Sequence, residues 1–169
     1  EFFDSEQASF LTLLSFQFLR NGYQGLAYHF ITMAGDTSGM PENREADYWA
    51  NRAYMAENQD NFEDSLQSIN KALAREPARI DWKIVRVRSL FMLKQHDQAL
   101  AEARALEEEV VNLPPTAENT RILNEAIDLA ANSHLAQEEY REALDIIQKF
   151  LPVYSGNELY RTQALAYYH

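Results

Sequence analysis

The sequence predicts an all-α protein built from stacked antiparallel helix pairs. Three observations lead there. One turn pattern occurs four times, apolar residues on both sides of each turn recur at helical spacing, and turn-forming residues are scarce. The 169 residues include only five Gly and five Pro. A β-sandwich needs turn residues about every 8–12 positions, and this supply is too small.

The pattern is a polar turn, usually an aromatic, two variable residues, then a small or apolar pair. It reads Arg20-Asn21-Gly22-Tyr23-Gln24-Gly25-Leu26-Ala27, then Asp60-Asn61-Phe62-Glu63-Asp64-Ser65-Leu66. The third and fourth copies are Lys94-Gln95-His96-Asp97-Gln98-Ala99-Leu100 and Glu138-Glu139-Tyr140-Arg141-Glu142-Ala143-Leu144. Measured between Tyr23, Phe62, His96 and Tyr140, the steps are 39, 34 and 44 residues.

Taken in order, the first pair is expected over 5–35, its apolar stretch from Phe10 to Leu19 being too short to span a membrane. That stretch lacks the basic leader and small-residue cleavage site of a signal sequence. A turn-rich loop around Gly35–Asn43 leads to the second pair, 44–76, where Trp49, Ala53 and Ala56 precede the turn on one face. Leu66, Ile69, Ala72 and Leu73 follow it, and Pro77 ends the second helix because proline cannot continue one. The third pair, 78–111, places Val87, Leu90 and Leu93 before its turn and Ala99, Leu100, Ala103 and Leu106 after it. Leu113-Pro114-Pro115-Thr116 then breaks the chain. Thr116 or Asn119 is expected to cap a long helix running to about Ala136, in a fourth pair over 116–152. Residues 157–169 are expected to form an extra helix with Leu159, Ala164, Leu165 and Tyr168 as its stripe. Its apolar end predicts that the natural chain continues. The residue after each turn is expected to plug the gap between two helices. The small residue three positions on (Ser65, Ala99, Ala143) lets the backbones approach.

The segment from Trp49 to Pro77 resembles a tetratricopeptide repeat (TPR). It has Trp49 early in the first helix, Ala53 four residues later, Phe62 after the turn, Ser65, Ile69 and Ala72 down the second helix, and the closing Pro77. The 34-residue step to the next turn matches that family's period. Arg52 stands where the family prefers an apolar residue, and His96 replaces the usual aromatic. The resemblance covers about 150 residues and is closest over 45–110. It implies a right-handed α-solenoid of about four pairs, forming one domain over 1–169 that is a fragment of a longer array. It also implies a protein-binding role, because first helices of successive TPR pairs line a concave face where partners lie.

Carried over residue by residue, that face would include Asp47, Tyr54, Glu57 and Asn58 from the second pair. The third pair would add Asp81, Arg88 and Phe91, and the fourth Glu125, Asp128 and Asn132. The set is mostly acidic and amide-bearing, whereas family members that clamp a carboxylate terminus use several Lys and Arg. A basic or neutral protein or peptide therefore fits better than an acidic one. The alternative is a structural spacer or adaptor segment with no ligand of its own. Such arrays also occur in bacterial envelope and polysaccharide-export assemblies.

Charge narrows the partners further. With 15 Lys and Arg against 26 Asp and Glu the net charge is −11, which repels nucleic acid and anionic membrane surfaces. No cysteine occurs, so disulfides, thiolate metal sites and cysteine nucleophiles are excluded, and cytoplasm and bacterial periplasm suit the chain equally. None of His29, His96, His134 and His169 has another His three or four residues away, so no metal site is expected. No Gly-rich phosphate loop, nucleophile elbow or kinase signature appears, and the sequence predicts neither an enzyme, a cofactor nor a small-molecule ligand. The acidic runs Glu107–Glu109 and Glu138–Glu139 read as solvated helix faces.

Overall fold

The computed structural model describes residues 5–35, 40–150, 162, 163 and 166. Among them lie eight α-helices and no strand: α1 Ser5–Arg20, α2 Gln24–Ala34, α3 Glu42–Glu57, α4 Phe62–Arg75, α5 Ile80–Met92, α6 His96–Val111, α7 Ala117–Ala136 and α8 Tyr140–Phe150. Thr162, Gln163 and Ala166 are helical, while the whole expected stripe, Leu159, Ala164, Leu165 and Tyr168, falls outside the described residues, as do residues 36–39 of the loop. The chain divides into two compact units, Glu1–Arg86 and Val87–His169, with the boundary inside α5.

Each of the four turn segments separates two helices, and all four are built the same way. One residue takes the left-handed conformation: Gly22 at φ 79°, Asp60 at 56°, Lys94 at 61° and Glu138 at 63°. Its amide donates to the carbonyl three residues back, and the next amide donates five residues back. The second bonds are Tyr23 to Phe18, Asn61 to Ala56, Gln95 to Leu90 and Glu139 to His134, all at 2.9 Å. This double bond satisfies carbonyls that a helix end otherwise leaves without partners. The new helix starts directly afterwards, and side-chain caps start α4 behind the second of these turns and α7 behind the connection that ends at Thr116. Asn61 accepts from the Asp64 amide at 3.2 Å, and Thr116, rather than Asn119, caps α7 by accepting from the Asn119 amide at 3.1 Å.

That geometry corrects the register of the first repeat by one residue. Tyr23 is the counterpart of Asn61, Gln95 and Glu139, not of Phe62, His96 and Tyr140. It precedes α2 and is 60% exposed. Gln24 holds the post-turn position, and the step to Phe62 is 38 residues. Three residues after each post-turn position comes Ala27, Ser65, Ala99 or Ala143, every one fully buried. These small side chains are where paired helices meet closely. In the first pair, Ser15 Oγ on α1 donates to the Ala27 carbonyl at 2.9 Å. The post-turn side chains Phe62, His96 and Tyr140 are only half-buried, so the close contact lies at the small residue and not at an aromatic plug.

In the first unit, Ala8, Leu11, Ala27, Ile31, Tyr48 and Met55 join α1, α2 and α3 in one core. Ala46, Ala50, Ala53, Ile69, Ala72, Leu73, Trp82 and Val85 join α3, α4 and the start of α5 in another. In the second unit, Ile127 and Ala131 on α7 pack on Ile147 and Phe150 of α8. The alternation of small and large side chains lets helices interdigitate at close spacing.

Candidate functional site

Within the first unit, α3 presents Asp47, Tyr54 and Asn58 along one side, at spacings of seven and four residues, with Glu57 beside them. The Tyr54 hydroxyl donates to the Asp81 carbonyl at 3.3 Å, so residues far apart in sequence share one place. Asn58 donates to the Tyr54 carbonyl at 2.9 Å, and its side-chain oxygen accepts from Gln24 at 3.3 Å.

The group that organises this cluster is Arg79, which sequence reasoning missed. Its guanidinium grips the Asp81 carboxylate through Nε at 3.0 Å and Nη2 at 2.8 Å, and reaches Glu76 at 3.2 Å. It also lies over the Trp82 ring, 4.0 Å from the centroid. These carboxylate bonds hold the Arg79 guanidinium more firmly protonated than usual. Asp47 pairs with Arg44 only loosely, at 3.7 Å. Burial pushes the Asp47 carboxyl above its ordinary value. Arg79 and Arg44 oppose the rise, while Glu76 and Asp81 add to it.

Within the second unit, Glu125 on α7 bonds Arg88 on α5 and accepts from Arg121 at 2.8 Å. Arg121 also donates to Glu118 at 2.8 Å, which raises its own proton affinity. Arg121 and Glu118 were likewise not anticipated. One turn further along α7, Asn132 donates to the Asp128 carbonyl at 2.9 Å, and Asp128 accepts from the Thr162 hydroxyl at 3.3 Å. Phe91 stands edge-on to His96, 5.3 Å between ring centres.

Within the first unit Asn51 on α3 donates to the Thr12 carbonyl on α1 at 3.1 Å and Tyr54 bonds Asp81 at the start of α5, while within the second unit Arg88 at the end of α5 bonds Glu125 on α7. Nine of the ten expected face residues are half-buried and Asn58 is exposed. Asp81 and Glu125 are paired within the chain, Asp81 by Arg79 and Glu125 by both Arg88 and Arg121. Arg52, the departure from the TPR pattern, lies outside this set and bonds Asp64 at 3.3 Å.

In the acidic runs Glu108, Glu138 and Glu139 are exposed, and two of the runs' carboxylates bond within the chain. Glu107 is largely covered and accepts from Lys149 at 3.0 Å. Glu139 accepts from His134 at 2.6 Å, while the other His134 ring nitrogen meets Arg104 at 3.1 Å. A guanidinium only donates, so Nε2 of His134 accepts and the proton sits on Nδ1. Buried His134 is therefore a bonded joint between α6, α7 and the segment before α8.

Among the described residues no cluster of three His, Asp or Glu side chains could hold a metal ion, and no helix is long and apolar enough to cross a membrane. Models of known protein families give no match to the chain, and comparison with curated proteins yields no significant relative.

Proposed function

We propose that this chain is a protein–protein interaction scaffold of the TPR-like kind, a solenoid that docks a basic or neutral protein on the faces of its first helices. The observation that carries this reading is the α3 stripe with Asp47 at its head. Asp47 is a half-buried carboxylate that Arg44 approaches only to 3.7 Å. A Lys or Arg from a partner would form a closer ion pair with it, and Tyr54, Glu57 and Asn58 add polar surface on the same side. The pairing of Asp81 and Glu125 inside the chain favours the second reading, a spacer, because it leaves less uncompensated charge for a partner.

Affinity capture with mass spectrometry, followed by charge reversal, separates the two. The scaffold reading expects Asp47→Lys with Glu57→Lys to weaken a reproducible complex on the order of tenfold or more. Reversing Glu63 and Glu108, exposed residues on second helices, should change it about twofold at most, the effect of bulk charge alone. Equal losses would assign the effect to net charge and reject the face. No reproducible partner would favour the spacer.

A further inference from the structure

Among the described residues, α1 carries three large exposed apolar side chains, on a surface that borders the start of α3. Ala8, Leu11, Thr12 and Ser15 are buried, while the opposite side presents Phe10 at 60%, Leu13 at 39% and Phe16 at 36% exposure. An acidic, water-exposed chain gains nothing from three large apolar side chains on one helix face unless something covers them.

The charges on that stripe identify what does. Glu6 and Arg20 each lie seven residues from Leu13, one before it and one after. Seven residues is close to two helical turns, so all three share one line along the helix, with the charges about 10 Å to either side of Leu13. The stripe is therefore complementary to itself when reversed. Running a second α1 antiparallel about a two-fold axis at Leu13 sets Glu6 against Arg20 of the second copy, and Arg20 against its Glu6. A parallel arrangement would oppose like charges instead.

Shape agrees with charge. The same reversal carries Phe16 of the second copy to the level of Phe10. It arrives over a groove of about 420 Å³ that Ser5, Glu6, Ser9, Phe10 and Leu13 of α1 line together with Pro41 and Arg44. The small side chains of Ser5 and Ser9 leave room there for an incoming ring. Two such insertions occur, one per copy, as an isologous interface requires.

We propose that α1 is a self-association surface, pairing antiparallel with α1 of a second copy of this chain around Leu13. The contact is one helix per side, well below the roughly 800 Å² per partner of standard interfaces, so the dimer is weak and concentration-dependent.

Sedimentation of the 169-residue chain across a concentration series tests this. The expected result is a reversible monomer–dimer equilibrium. Leu13→Glu, which puts two carboxylates on the axis, should abolish the dimer while circular dichroism stays helical. Glu6→Arg alone should weaken it tenfold or more by opposing two cations, as should Arg20→Glu by opposing two carboxylates. The double variant Glu6→Arg with Arg20→Glu should restore the parent value, because the swap preserves the pairing only in the antiparallel dimer. A chain that stays monomeric throughout would overturn the proposal. So would a double variant that dimerises as weakly as the single ones, because Glu6 and Arg20 would then not face each other across the dimer.

Discussion

The first two helix pairs use one construction and finish it differently. Both turns carry a left-handed residue and the same two amide bonds, and both bury a small residue at the helix contact, Ala27 in one and Ser65 in the other. Around this shared joint nearly everything else differs. The second pair starts α4 with a capping Asn61, whereas Tyr23 gives α2 no side-chain cap. The second pair spends Trp49 on a cluster, with its indole N–H bonded to Glu45 at 3.3 Å, Lys71 over its ring at 3.8 Å, and Arg75 paired with Glu45. The first pair leaves Phe10, Leu13 and Phe16 facing outward. A helical pair is therefore specified by a handful of turn and contact positions, and the remaining positions are available for surfaces with different jobs.

The sharpest way to break the comparison is at the shared joint. Ala27→Leu and Ser65→Leu should each overpack the contact, costing roughly 1–3 kcal/mol in urea denaturation. Ala99→Leu and Ala143→Leu should behave alike. Leu26→Ala, at the position that an aromatic-based alignment would equate with Ser65, should change stability by less than about 0.5 kcal/mol, because Leu26 is 45% exposed. A large loss there would reject the corrected register.

The caps come next. Asn61→Ala should cost about 1 kcal/mol through loss of the bond to the Asp64 amide, while Tyr23→Ala should cost nearly nothing. Thermal melts of the two variants side by side give the contrast directly. The turn residues offer a test of opposite sign in the two pairs. Gly22→Ala meets no steric neighbour but must hold φ near +79°, which should cost about 1 kcal/mol. Asp60→Gly relieves the same strain in the second turn and should gain roughly 0.5 kcal/mol.

The smallest effect is the pH response of Asp47. Its folded carboxyl binds a proton more tightly than the ordinary value of 3.8, chiefly because of burial. The folded chain therefore holds more protons than the unfolded one, and this group's contribution falls as pH rises from 3.8 through the folded value. Asp47→Asn should raise the melting temperature slightly near neutral pH, and the gain should vanish in acid. Solvent screening of this half-exposed group keeps the change small. A stability loss at neutral pH would mean that the pairings with Arg44 and Arg79 outweigh the burial.

Much of this fold was legible because turns and helix contacts obey local rules. Gly22 marks a left-handed position, Pro77 follows a helix end, and Leu66, Ile69, Ala72 and Leu73 recur at helical spacing. The register slipped in the first repeat because an aromatic served as the ruler. Tyr23 looks like Phe62 in composition, but the fully buried small residue is the position that packing holds fixed. Ala27 was the better guide. The face was readable residue by residue and unreadable as a network. Tyr54 and Asp81 lie 27 positions apart, and Arg88 and Glu125 lie 37 apart, so their partnership depends on helix stacking that no periodicity reports. Arg79 could have been suspected from Glu76 and Asp81 flanking it. Arg121 likewise has Glu118 and Glu125 at spacings of three and four.

The ties between odd-numbered helices also bear on how the chain acquires its structure. Those ties and the clasp from Lys149 to Glu107 link residues 27 to 42 positions apart, roughly one repeat length. Loops of that size close quickly, and low average sequence separation places helical chains among the fast folders, from microseconds to milliseconds. A pair needs only its neighbour to complete these bonds. During synthesis each of these ties can therefore form soon after its second residue emerges from the ribosome.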